Sequence, residues 1–293
     1  MRNMRRVLIV GCGDVGMRLL PLMATRYRVY ALTHSVSRLP ALRAAGAMPI
    51  VGDLDDPRSL DRLAGLAEDV IHMVPPPSEG DRDSRTTHLI QALTKRGSLP
   101  QRLVYLSTTG VYGDCAGDWV DESRPTHPQT LRATRRTHAE EQLRQWAGGC
   151  GVRLSILRVP GIYAADRLPV ARLRAGTPVL EPASDPYTNH IHAEDLARVT
   201  LTALTRGRAN RTYNAADHSC MRMGEYFEFV AERLGLPAPP RVPLEEARER
   251  LPAMLLSFMA ESRRIRNRRL REELRFVFRY PTVREGIPAD MAA

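Results

Sequence analysis

The sequence predicts an α/β fold, a Rossmann-type doubly wound parallel sheet followed by a smaller, mostly helical C-terminal substrate lobe. Three observations carry this. Short apolar runs alternate with amphipathic stretches through the first half of the chain. Gly11-Cys12-Gly13-Asp14-Val15-Gly16 joins the first apolar run to the first helical stretch. After Arg158 the alternation stops, and Pro and Gly become frequent. Strands separated by helical segments mean βαβ units, with parallel strands covered on both faces.

Taken in order, 6–10 reads as a strand, 15–25 as a helix and 27–33 as the second strand. A helix over 38–45, a strand over 47–51 and a helix over 58–66 follow. Strands over 69–74 and 102–107 flank a helix over 84–96, and a long helix over 131–147 leads to a sixth strand at 152–158. Beyond Arg158 the pattern predicts a helix over 193–205, a short strand over 212–215, a helix over 223–234, a Pro-rich break and a helical, Arg-rich tail. Residues 1–160 are the expected nucleotide-binding domain, and the remainder supplies the other wall of a cleft.

Composition bounds the function. The chain has 293 residues, 43% of them apolar, which is enough for a large core. No apolar run approaches the roughly 20 residues of a membrane span. The start, Met1-Arg2-Asn3-Met4-Arg5-Arg6 before Val7–Val10, lacks the apolar length and cleavage site of a signal peptide. A soluble, cytoplasmic protein is expected. Cys12, Cys115, Cys150 and Cys220 are scattered without metal-ligand spacing, so reduced, mostly buried thiols are expected and no metal. The net charge is +10, and Lys95 is the one lysine among 43 basic residues. The charge fits an anionic ligand or nucleic acid and alone does not choose between them. An anionic small-molecule partner is expected; with little aromatic interleaving and no binding module, nucleic acid is disfavoured, no membrane is expected, and a homodimer is left open.

In the glycine segment, Gly11 permits a tight turn, Gly13 lets the backbone approach a pyrophosphate, and Gly16 allows close helix–strand packing. Asp14 and Val15 open a helix whose N-terminus faces the phosphates. The second strand ends in Thr33-His34-Ser35-Val36-Ser37-Arg38, without the acid that usually takes ribose hydroxyls. Ser35 and Arg38 suit a 2′-phosphate, so NADP(H) is expected in preference to NAD(H). Asp53 and Leu54, closing the third strand, are placed near the adenine, and Val74 and Pro75 on the path to the nicotinamide.

Leu106-Ser107-Thr108-Thr109-Gly110-Val111-Tyr112-Gly113 is followed by Asp121-Glu122-Ser123-x-Pro125-x-x-Pro128 and Leu157-Arg158-x-Pro160-Gly161-Ile162-Tyr163. Asn189–Ala197, Tyr213-Asn214-x-x-Asp217 and Ser262-Arg263-Arg264-Ile265-x-Asn267 then follow in order. Together these segments resemble the extended short-chain dehydrogenase/reductases, the group of NAD(P)-dependent sugar-nucleotide epimerases and dehydratases. The resemblance implies that 186–217 return to the Rossmann part, leaving 161–185 and 218–293 as the lobe. It also implies a Ser/Thr, a Tyr acid/base and a Lys four residues later. Thr108 takes the first position. Counting on from Pro128, Arg132 stands at the Tyr position and Arg136 at the Lys position. No Tyr-x-x-x-Lys occurs in the chain, and an arginine stays protonated.

The reading is therefore an oxidoreductase or epimerase-like protein that transfers hydride on an anionic, nucleotide-linked substrate. Its alternative is a catalytically inactive NADP(H)-binding sensor or scaffold. Tyr112, His138, His190 and His192 are the remaining candidate acids, each read more simply as structural. Nine arginines in 262–284 are read as a cleft lining or a solvated face.

Overall fold

A computed structural model describes residues 4–288. Residues 1–3 and 289–293, which the expected domain ranges include, lie outside the described residues. The chain opens with β1 (Arg5–Val10), α1 (Asp14–Met23), β2 (Tyr27–Thr33), α2 (Leu39–Ala44), β3 (Met48–Val51), β4 (Asp69–His72), α3 (Ser84–Thr94) and β5 (Arg102–Thr108). There follow β6 (Trp119–Val120), α4 (Leu131–Cys150), β7 (Arg153–Val159), β8 (Gly161–Tyr163), α5 (Val170–Arg174), β9 (Val179–Leu180), β10 (Tyr187–Thr188) and β11 (His190–His192). The chain continues through α6 (Ala193–Arg206), β12 (Arg211–Asn214), β13 (Met221–Arg222), α7 (Met223–Arg233), β14 (Arg241–Val242), α8 (Leu244–Arg250) and α9 (Ala253–Met259). It closes with β15 (Arg264–Ile265), α10 (Arg268–Glu272) and α11 (Val283–Gly286).

Seven strands form one parallel sheet in the order β12-β7-β5-β4-β1-β2-β3. The order reverses between β1 and β4, the switch point at which such sheets open a crevice. Val7, Leu8, Ile9 and Val10 are all fully buried. Because successive side chains of a strand face opposite ways, Val7 and Ile9 join the core beneath α1 and α6. Leu8 and Val10 join the core beneath α3 and α4. Local chemistry starts the helices. The Asp83 carboxylate accepts the Thr86 N–H at 3.1 Å, and the Thr130 hydroxyl accepts that of Ala133 at 3.2 Å.

Two expectations need correction. The helix expected over 58–66 is a 3₁₀ helix, Pro57–Leu63, which ends ahead of the left-handed Gly65 (φ 69°). The Arg-rich tail is helical at α8, α9, α10 and α11, but not between the last two. Between them Leu274, Phe276 and Phe278 are buried, while Arg275, Val277 and Arg279 are exposed. That period of two is the pattern of an extended segment, and its phenyl rings complete the core beneath α1 and α6. Of the four cysteines, Cys12 and Cys115 are buried, Cys150 is half-buried and Cys220 is exposed. Among the described residues no helix is long and apolar enough to cross a membrane, and no side-chain cluster could hold a metal ion.

Candidate cofactor and active site

A cavity of about 320 Å³ opens at the C-terminal ends of β1, β2 and β4. Its walls bring together Gly11, Gly13, Arg38, Asp53, Leu54, Val74 and Pro75. The glycines explain its shape. Gly11 has φ 86°, and a Cβ there would lie 2.5 Å from Val74 Cγ2. A Cβ on Gly16 would meet Cys12 Sγ at 2.8 Å, so this residue sets the packing of α1 on the sheet. Around Gly13 nothing lies within 4 Å of a Cβ, which leaves its backbone open to a ligand. Among the described residues no side chain caps α1, which leaves its leading N–H groups to an anion.

The other expected cofactor residues sit outside this lining. Val15 and Gly16 are buried behind the loop. The Asp14 carboxylate accepts from Arg167 at 2.9 Å and from Arg18 at 3.2 Å, an arrangement that ties α1 to the segment after β8. Ser35 shares a 2.7 Å hydroxyl contact with Ser37. Arg38 makes no ion pair among the described residues and lines the cavity beside His34. Arg85 also lines it, and sequence reasoning missed it. Its guanidinium holds Asp55 through two bonds of 2.8 and 2.6 Å and donates to the Pro75 carbonyl at 3.1 Å. No motif marks Arg85, which reaches the site only because α3 packs beside the 3₁₀ turn that follows β3. The phosphate cradle and Arg38 together fit a dinucleotide.

Thr108, Arg132 and Arg136 do not line this cavity. Thr108 ends β5, where its hydroxyl accepts the Gly110 N–H at 3.2 Å. Arg136 Nη1 donates to Leu106 O at 2.9 Å, to the Tyr105 hydroxyl at 3.0 Å and to Val74 O at 3.4 Å. It therefore abuts the cofactor cavity through Val74. Arg132 stacks on the Phe258 ring, 4.2 Å from its centroid, and so links α4 to α9 across the cleft.

The other candidate acids are committed elsewhere. Tyr112 is buried and donates to Asn214 Oδ1 at 2.8 Å, and burial pushes its phenol up to about 12. His138 Nδ1 accepts from Asp83 N at 3.1 Å and Gln142 Nε2 at 2.9 Å. His190 stacks on Tyr226 at 4.2 Å, and burial drives it down to about 3. His192 Nδ1 caps α6 by accepting from Glu194 N at 3.2 Å. Behind Thr108, Ser107 donates to Glu140 at 2.6 Å, and Glu140 is paired with Arg158 at 2.7 Å. This buried network braces the floor of the site.

The family model of the NAD dependent epimerase/dehydratase family matches residues 7–216, from within β1 to just past β12. The chain belongs to that family. A ketoreductase of 4-hydroxy-2-methyl-3-oxo-4-farnesyl-3,4-dihydroquinoline-1-oxide from Stigmatella aurantiaca is 25% identical over 261 residues, 84% of this chain and 78% of the ketoreductase. A conserved protein of unknown function from Silicibacter pomeroyi superposes with a TM-score of 0.83 at 29% identity, covering 98% of both chains. The UDP-glucose 4-epimerase of Thermotoga maritima shares the fold, with a TM-score of 0.80 at 18% identity over 98% of this chain and 97% of that one.

Proposed function

We propose that this protein binds NADP(H) and reduces a carbonyl group on an anionic substrate. The observation that carries the reading is the cavity at the β1/β4 switch point, with Gly13 open to a pyrophosphate and Arg38 at the far end for a 2′-phosphate. The reduced nicotinamide would supply the hydride. Thr108 would orient the substrate oxygen, and Arg136, which abuts the cofactor cavity through Val74 O, would hold the nicotinamide ribose. Arg132 and Arg136 remain cations and stabilise the developing alkoxide, with the proton taken from solvent. A second cavity of about 660 Å³, lined by Arg222 and Arg248 together with Asp114, Asp185, Tyr187 and Leu256, would take the body of the substrate, including a nucleotide-linked one. The resemblance to a ketoreductase over most of the chain favours reduction over epimerisation.

A second reading, an inactive NADP(H)-binding sensor or scaffold, draws support from the buried, bonded Tyr112 and from the absence of a proton-shuttling pair. Calorimetric titration with NADPH and NADH, followed by NADPH oxidation over a panel of carbonyl compounds, separates the readings. Preferential NADPH binding with turnover supports the reductase. Binding without turnover supports the sensor, and no binding of either nucleotide removes both.

A further inference from the structure

We infer a second anion site, at the opposite end of the sheet from the cofactor cavity, that takes a phosphorylated small molecule. A groove of about 390 Å³ runs between α6 and the extended segment Arg275–Val277, with Arg26 and Tyr27 at one end. Along α6, Arg198, Leu201, Thr202, Thr205 and Arg206 recur at helical spacing, so one face of the helix lines the groove. Arg26 and Arg275 enter from separate segments. Four arginines thus line a groove with no acid among its described lining residues.

Their existing contacts leave most of that charge uncompensated. Arg198 is paired with the buried Asp195 at 2.5 Å, and Arg206 donates through Nη1 to Leu274 O at 3.1 Å. Among the described residues Arg26, Arg206 and Arg275 have no carboxylate partner, whereas Arg5, Arg6, Arg85 and Arg241 all do. Arg275 is held at φ 52°, a left-handed conformation that a side-chain-bearing residue adopts at a cost. The next residue, Phe276, anchors the segment in the core, and Arg275 lies in the groove lining. Planar guanidiniums with paired donors match the oxygens of a phosphoryl group, and the volume admits a body beyond the phosphate itself. Tyr27 begins β2 and Thr33, at its other end, lines the cofactor cavity; six residue steps at about 3.3 Å each separate the sites by roughly 20 Å.

The test titrates the full chain with inorganic pyrophosphate by calorimetry at low salt, with and without saturating NADPH. The comparison protein carries Arg26→Ala with Arg275→Gly. Glycine suits the left-handed backbone at 275, so this variant removes charge without straining the fold. The expected result is a binding event that persists under NADPH, weakens with salt, and falls at least about tenfold in affinity in the variant. NADPH affinity is expected to be the same in both proteins. Identical pyrophosphate binding in the two proteins, or none in either, overturns the site. Binding of duplex DNA or an acidic peptide through these arginines, with no response to pyrophosphate, overturns the small-molecule ligand. The outcome is independent of the cofactor reading, because pyrophosphate at the glycine loop would be insensitive to Arg26 and Arg275.

Discussion

Arg136 donates from one nitrogen, Nη1, to the Tyr105 hydroxyl at 3.0 Å and to the Leu106 carbonyl at 2.9 Å. The cation thus satisfies the end of β5 from the side of α4. Burial pushes the Tyr105 phenol up to about 12, with Arg136 opposing the shift, so this tyrosine stays a neutral partner inside the sheet.

Arg132→Tyr combined with Arg136→Lys places a phenol and an ammonium four residues apart on α4. If the rest of the site is a reductase, NADPH-dependent carbonyl reduction rises by about 10²-fold, the scale of general acid catalysis. Steady-state NADPH oxidation at fixed substrate reads it. An unchanged rate would indicate that the surrounding site lacks substrate-orienting geometry.

Arg38→Ala removes the cation facing the expected 2′-phosphate. NADPH affinity should fall by about 10- to 100-fold with NADH affinity unchanged, as calorimetry would show. Equal loss for both nucleotides would assign Arg38 to the pyrophosphate or to the fold.

Glu140 and Arg158 form a buried pair at 2.7 Å, and Ser107 also donates to Glu140. Glu140→Ala leaves a buried guanidinium uncompensated and should cost about 3–5 kcal/mol of stability. Glu140→Leu with Arg158→Met should recover most of that loss. Urea unfolding of the three proteins tests both statements.

Asp217 is buried, accepts the Ser219 N–H at 2.8 Å through Oδ1, and among the described residues has no hydrogen-bond partner for Oδ2. Burial raises this carboxyl to about 7, with Tyr163 and Asp195 nearby. Its folded pKa exceeds the ordinary unfolded value of about 4, so between these values the native state binds more protons than the unfolded chain. Its contribution to stability is present below about pH 4, declines as pH rises to 7, and is gone above it. Asp217→Asn should remove that slope. The wild-type minus variant difference in unfolding free energy, on the order of 1–4 kcal/mol between pH 5 and 8, measures it and cancels the opposing titration of His190 and His192.

Periodicity and glycine sterics are local, so the sequence alone determined strands β1 to β5 and β7, most of the helices between them, and the turn from Gly11 to Gly16. It also showed, by counting, that Lys95 could not serve a Tyr-x-x-x-Lys pair. The partners of these residues were not local. Arg85 lies 30 positions from the Asp55 it holds, and Arg132 meets a phenyl ring 126 positions away at Phe258. The tail after α10 turned on packing too: Phe276 and Phe278 are extended because the core beneath α1 and α6 takes their rings. Which arginines are held by an acid inside the fold, as Arg158 is by Glu140, and which, like Arg38 and Arg275, have no carboxylate partner among the described residues, was decided by the tertiary structure. A guanidinium's long side chain reaches acceptors that only folding brings near, and no pattern along the chain records where they will be.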